Sequence, residues 1–254
     1  MITKPKILEN ISQLQNKIKR ISSQNCYKFD QNSQIKLVAV SKQMPAQCIE
    51  WAHLGGLHAF GENYVLEAIE KINQLKHLPL EWHFIGHLQT NKAKLVAQHF
   101  DWVESVDSER LAQKLNQFRY ATQTRLNICI QVNIDQSPTK SGVLPVDVPS
   151  LVQLILTLPR LCLKGLMVVP DPSSTEQLAY YFASTRSLFL DTLDAIKQTH
   201  GAAAASEFDT LSMGMSADYE LAIEQGSTQV RIGSAIFGER VYEQQNNDPS
   251  VGSI

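Results

Sequence analysis

Two hydrophobic periods take turns along this chain. Alternating or continuous apolar runs of four to eight residues read as strands, and stripes with spacings of three and four read as helices. The first clear strand is KLVAVSK, Lys36 to Lys42. Its β-branched residues favour the pleated backbone, and Met44-Pro45 closes it. Ala46–Leu54 then reads as a helix stopped by Gly55-Gly56, Leu57–Phe60 as a strand, and Glu62–Lys76 as a helix with Val65, Leu66, Ile69, Ile72 and Leu75 inside. The rhythm continues with strand Glu81–Gly86, helix Asn91–Phe100, strand Asp101–Val106 and helix Ser108–Tyr120. Arg125–Ile134 is the longest strand, followed by the polar loop Asp135–Gly142, a helix over Val148–Leu158 and strand Leu163–Val169. Ser173 or Ser174 caps a long helix through Gln198, and Gly201–Ser206 reads as a small-residue linker. FDTLSMG is the next strand, Ser216–Gln225 a helix, and Thr228–Gly233 the last strand.

Eight strands separated by helices imply right-handed crossovers and an all-parallel sheet. An α/β fold of this length closes naturally into a single (β/α)8 TIM barrel, and an open doubly wound sheet is the alternative. Ahead of it, Lys4–Ser22 carries Ile7, Ile11, Leu14, Ile18 and Ile21 in one narrow stripe, so an extra N-terminal helix packs on the body. The barrel domain is expected over residues 1–242. The polar stretch 243–254 reads as a disordered tail.

Composition narrows the function. A net charge of −2 and a pI near 6.4 lack the basic surplus that a nucleic-acid surface needs. Four cysteines, Cys26, Cys48, Cys129 and Cys162, show no metal or disulfide spacing, so no metal site is expected. The start, MITKPKILEN, has no signal-peptide apolar core, and no stretch is apolar enough for a membrane span. A cytoplasmic protein that binds neither nucleic acid nor membrane is the expectation.

Three features carry chemistry. Alternation puts Val38, Val40 and Lys42 on one face, so the Lys42 amine ends a buried strand pointing with two core valines. Desolvation disfavours its charged form and leaves an amine able to attack a carbonyl; a lysine that snorkels into water is the other reading. After the seventh strand comes Ser212-Met213-Gly214-Met215-Ser216, and after the eighth Gly233-Ser234-Ala235. Both hold hydroxyls, a small residue and helix-start N–H groups where barrels commonly hold phosphate, although each alone is also an ordinary turn and cap. Arg231 shares a face with Gln229 and Gly233, which points it into the barrel. It needs an acceptor there, either a buried carboxylate such as Asp209 or a ligand atom. A lysine at one end and phosphate loops at the other describe a pyridoxal phosphate (PLP) site.

The segments VAVSK (38–42), FGENY (60–64), WHFIGHLQTNK (82–92), GLMVVP (165–170), SMGMSADYELAI (212–223) and VRIGSAIFG (230–238) together resemble the pyridoxal phosphate homeostasis protein family over residues 4–242. The resemblance implies a barrel like the N-terminal domain of alanine racemases, with Lys42 as the Schiff-base lysine. It further implies that Ser212, Gly233 and Ser234 hold the phosphate, Asn63 lies near the ring and Arg231 faces the pyridine nitrogen. His87, beside Gly86, is a further candidate that equally fits a structural cap. Family members bind the cofactor without an established reaction, so the resemblance implies a carrier in vitamin B6 and amino-acid/keto-acid balance, and the expected lack of a dimer-forming β-domain favours a monomer. PLP-dependent apoenzymes are its candidate recipients. The rival reading is a racemase using Lys42, which needs a second base from a β-domain that this chain is expected to lack. A class I aldolase is the weaker third.

Overall fold

Eight strands, β1 (Lys36–Val40), β2 (Ala59–Glu62), β3 (Glu81–Phe84), β4 (Trp102–Val106), β5 (Leu126–Val132), β6 (Leu161–Val168), β7 (Thr210–Ser212) and β8 (Gln229–Ile232), run parallel and pair in sequence order. The ring is closed by β1 on β8, with Lys36 opposite Gln229 and Val38 opposite Arg231. This is the (β/α)8 barrel that the strand-helix rhythm predicts. The computed structural model describes residues 2–24, 34–171 and 174–238, and the expected domain end at 242, the tail 243–254, Cys26 and Ser173 lie outside them.

Helices α2 (Ala46–Leu54), α3 (Val65–Gln74), α4 (Ala93–His99), α5 (Glu109–Phe118), α6 (Val148–Leu156), α7 (Thr175–Glu207) and α8 (Tyr219–Glu224) form the outer layer. Ser108 and Ser174 cap α5 and α7 by accepting the N–H of Leu111 and Gln177. A short α9 (Ser234–Phe237) follows the last strand. The N-terminal helix α1 (Lys4–Gln24) buries the predicted stripe Ile7, Ile11, Leu14, Ile18 and Ile21. It is also tied to α9, because the Asn10 amide donates to the Ile236 carbonyl at 3.0 Å.

Strand β2 and helices α3 and α7 differ from the sequence expectation. Strand β2 ends at Glu62 rather than Phe60, and α3 starts later, because Glu62 is buried in an ion pair with Lys71 instead of being solvated on a helix. The alanine run 202–205 is helical, not a linker; alanine is the strongest helix former, and only Gly201, at φ 85°, breaks α7 into two helices.

Barrel interiors are commonly filled by branched aliphatic side chains. Here much of the interior is polar. Trp102, Cys129 and Met167 form a small apolar cluster separate from the helix-facing core. His83 stacks on Trp102 with ring centroids 4.9 Å apart, and the Lys36 ammonium sits 4.2 Å above the same indole. The His83 ring is bracketed by carboxylates, with Nε2 2.7 Å from Glu81 and Nδ1 2.6 Å from Glu104. Lys36 pairs with Glu81 at the outer end of this chain.

Gly165 lets β6 approach β7, since a Cβ there would lie 1.6 Å from the Thr210 carbonyl oxygen. Gly165→Ala is expected to destabilise the protein by about 3 kcal/mol, because backbone must move to admit the methyl. Urea unfolding measures this directly. Burial pushes the Glu81 carboxyl up, but the hydrogen bond and charge of His83, helped by Lys36, hold it at about 2. A carboxylate held low in the folded state contributes stability above its unfolded pKa of about 4.3, and that contribution fades as pH falls toward 2. Glu81 is about a third exposed, so screening limits the effect to about 1 kcal/mol. The stability gap between wild type and Glu81→Gln should therefore narrow as pH drops from about 6 to about 3.

Candidate functional site

The strand C-termini surround a cavity of about 680 Å3. Lys42 enters from the end of β1, Asn63 from β2, and Arg231, Gly233 and Ser234 from β8 and the start of α9. Met215, Ser216 and Ala217 of the loop after β7 complete that side. Five of the seven predicted site residues therefore converge, although they are separated by most of the sequence. Gly86 packs against Asn63 so closely that a Cβ would lie 2.6 Å from the Asn63 carbonyl oxygen. This contact sets where Asn63 stands. Its side-chain Oδ1 is buried and accepts no hydrogen bond from the described residues.

The loop carrying Lys42 is clamped on both sides. Lys71 of α3, only 6 % exposed, donates to the Ser41 carbonyl at 2.8 Å and bonds Glu62 and Glu67. The Ser41 hydroxyl donates to Glu62 at 2.6 Å, while the Gln43 N–H donates to Glu67 at 2.6 Å. Gln43 itself sits at φ 62°, a conformation uncommon without glycine, and the Glu67 bond helps hold it there. Burial pushes the Glu62 carboxyl up against the pull of Lys71 and Ser41. The residues on either side of Lys42 are thus fixed by one buried charge cluster.

The loops after β7 and β8 also lean on each other. The Arg231 N–H donates to the Gly214 carbonyl at 3.0 Å, and the Gly233 N–H donates to the Ser216 hydroxyl at 3.3 Å. Asp218 accepts the Met215 N–H at 2.5 Å, shaping the turn into α8.

Ser212 and His87 lie elsewhere. The Ser212 hydroxyl is fully buried inside the barrel, where it donates to Glu104 at 2.5 Å and accepts from Arg231 at 2.6 Å and Gln229 at 3.1 Å. It does not line the cavity; Ser216, four residues on, does, together with Ser234. The carboxylate named as one alternative partner of Arg231 is not the one found. Asp209 is half exposed and pairs with Lys164, whereas Glu104 reaches Arg231 through Ser212. His87 is exposed, bonded to Ser141 at 3.1 Å and 3.9 Å from Asp107, on a neighbouring surface cleft that shares Asn63.

The family described as alanine racemase, N-terminal domain, matches residues 7–241. The pyridoxal phosphate homeostasis protein of Pasteurella multocida (strain Pm70) is 45% identical over 241 residues, covering 93% of this chain and 98% of the relative. That of Escherichia coli (strain K12) is 40% identical over 250 residues, covering 94% and 99%. The chain belongs to the pyridoxal phosphate homeostasis protein family. Among solved structures, PipY of Synechococcus elongatus PCC7942 with PLP bound superposes with a TM-score of 0.77 at 33% identity, over 91% of this chain and 100% of that one. Alanine racemase from Corynebacterium glutamicum, 15% identical with a TM-score of 0.63, shares the fold over 92% of this chain and 62% of its own.

Within this family frame, the residues that sequence reasoning missed are those that hold the others. Ser216, Glu104 and the Glu62–Glu67–Lys71 cluster stand behind Gly233, Arg231 and Lys42. The signal for the last was in FGENYVLEAIEK, where Glu67 and Lys71 are four apart on one helix face and Glu62 precedes them, but acidic and basic residues at that spacing read first as solvated. Lys71→Met should destabilise the protein by about 3 to 5 kcal/mol, since it strands the fully buried Glu62 carboxylate. A Glu62→Gln/Lys71→Met double variant should recover part of that loss in urea unfolding.

Proposed function

We propose that this chain binds pyridoxal 5'-phosphate in the cavity at the strand C-termini and acts as a carrier in vitamin B6 homeostasis, without turning over an amino acid. The convergence of Lys42, Asn63, Arg231, Gly233 and Ser234 on one cavity carries the reading. The residues present suit the group. An amine lies at one end and hydroxyls with helix-start N–H groups at the other, and a buried Asn63 oxygen lacks a protein partner. The curated relatives are named for pyridoxal phosphate homeostasis, and PipY has a structure with PLP bound.

When bound, the cofactor supplies an aldehyde that condenses with an amine and a phosphate ester that anchors it. Lys42 would present the amine, held at a fixed height by the clamped Ser41 and Gln43. Gly233 and Ser234 would hold the phosphate through N–H and hydroxyl donors, with Ser216 replacing Ser212 in that set. Asn63 would flank the ring. Arg231 would donate to the pyridine nitrogen and keep it unprotonated, which weakens the ring as an electron sink and favours a quiet carrier over a racemase. Among the described residues no helix is long and apolar enough to cross a membrane. We place the carrier in the cytoplasm as a monomer that delivers to PLP-dependent apoenzymes.

Wild-type protein mixed with PLP and reduced with borohydride should carry one adduct, mapped by mass spectrometry to Lys42. Lys42→Ala should lose the adduct while retaining non-covalent binding. An adduct persisting in that variant would move the attachment elsewhere, and robust wild-type racemization abolished by Lys42→Ala would favour the enzyme.

A further inference from the structure

Arg231 is 4 % exposed, and a guanidinium so buried requires both hydrogen-bond acceptors and a counter-charge. Two of its partners are neutral. Its Nη1 donates to the Ser212 hydroxyl at 2.6 Å and its Nη2 to the Val168 carbonyl at 2.8 Å. The counter-charge stands one residue further on. Glu104, fully buried on β4, accepts the Ser212 hydroxyl at 2.5 Å with one oxygen and faces His83 Nδ1 at 2.6 Å with the other. Because that hydroxyl spends its only proton on Glu104, its lone pairs are turned toward Arg231 and the Gln229 amide. Ser212 is therefore held as an acceptor.

We propose that Glu104 is a positioning residue that, through Ser212, fixes the Arg231 guanidinium so that its remaining donors face the ring-nitrogen end of the cofactor. The inference rests on the cofactor reading above and assigns Ser212 to the ring nitrogen's support rather than to the phosphate. Burial pushes the Glu104 carboxyl up, but His83, Arg231 and Ser212 outweigh it and hold the group below the usual carboxylate range, so it is available as an anion. Asp218 is the other acid acting on Arg231, after Glu104. It is engaged by the Met215 N–H in the turn, and among the described residues no hydroxyl bridges it to the guanidinium.

The test compares two ligands that differ at one ring atom: PLP, and the carbocyclic analogue in which C–H replaces the pyridine nitrogen while aldehyde and phosphate remain. Dissociation constants are measured by absorbance titration for wild type, Glu104→Gln and Ser212→Ala. Each variant should bind PLP about tenfold more weakly than wild type, the loss of about one charged hydrogen bond, and the analogue within about twofold of wild type. Ser212→Thr, which restores the hydroxyl, should recover most of the PLP affinity. Should Glu104→Gln fail to fold, the Ser212 pair decides alone. Equal losses for both ligands would overturn the proposal and return Ser212 to the phosphate or to general structure, and no loss for either would overturn it as well. Those outcomes leave the cofactor reading standing. A wild type that takes up neither ligand would remove that reading and this inference together.

Discussion

The arrangement of this barrel depends on a guanidinium that is almost wholly buried. Arg231 points into the interior from β8, so the far wall must answer it with charge, and the answer is a carboxylate on β4 reached through a serine on β7. Three strands are thereby tied across the barrel by two short hydrogen bonds. The same demand runs on through His83, Glu81 and Lys36, so the interior is threaded by alternating donors and acceptors from the Arg231 end to the opposite mouth. An interior built this way has little choice of rotamer, because turning any one member leaves two others unmet.

A second charge cluster does for Lys42 what Glu104 does for Arg231. Glu62, Glu67 and Lys71 hold the backbone on both sides of Lys42 while the lysine itself faces the cavity. In each cluster, a buried ionic group orients a neighbour through a hydroxyl or a backbone atom, and the residues lining the cavity inherit precision from partners outside it.

The fold was legible because its signal is periodic. Runs such as KLVAV and LNICIQV can only be strands in this context, and their regular separation by amphipathic stretches leaves few topologies. Lys42, Arg231, Gly233 and Ser234 were legible for a related reason, since alternation and strand ends place them without knowledge of any contact. What the sequence conceals is pairing across the barrel. Ser212 carries a hydroxyl that reads as a phosphate ligand, yet it is buried inside the barrel against Glu104, 108 positions away in the sequence. Glu62 was misplaced for the same reason: a glutamate reads as solvated until the lysine that buries it is seen. The alanine run 202–205 failed differently, because small residues suggest a linker while their backbone preference is helical.

The seam between β1 and β8 has a temporal side. Lys42 leaves the first strand and Ser234 follows the last, while Asn10 of the leading helix reaches the Ile236 carbonyl near the end of the fold. Contacts of such long sequence separation form late, after the entropy of closing nearly the whole chain has been overcome. A nascent chain that has made only its first six strands holds the lysine but neither the arginine nor the small-residue anchor opposite it. The candidate site is thus a property of ring closure, incomplete in every shorter piece of the barrel.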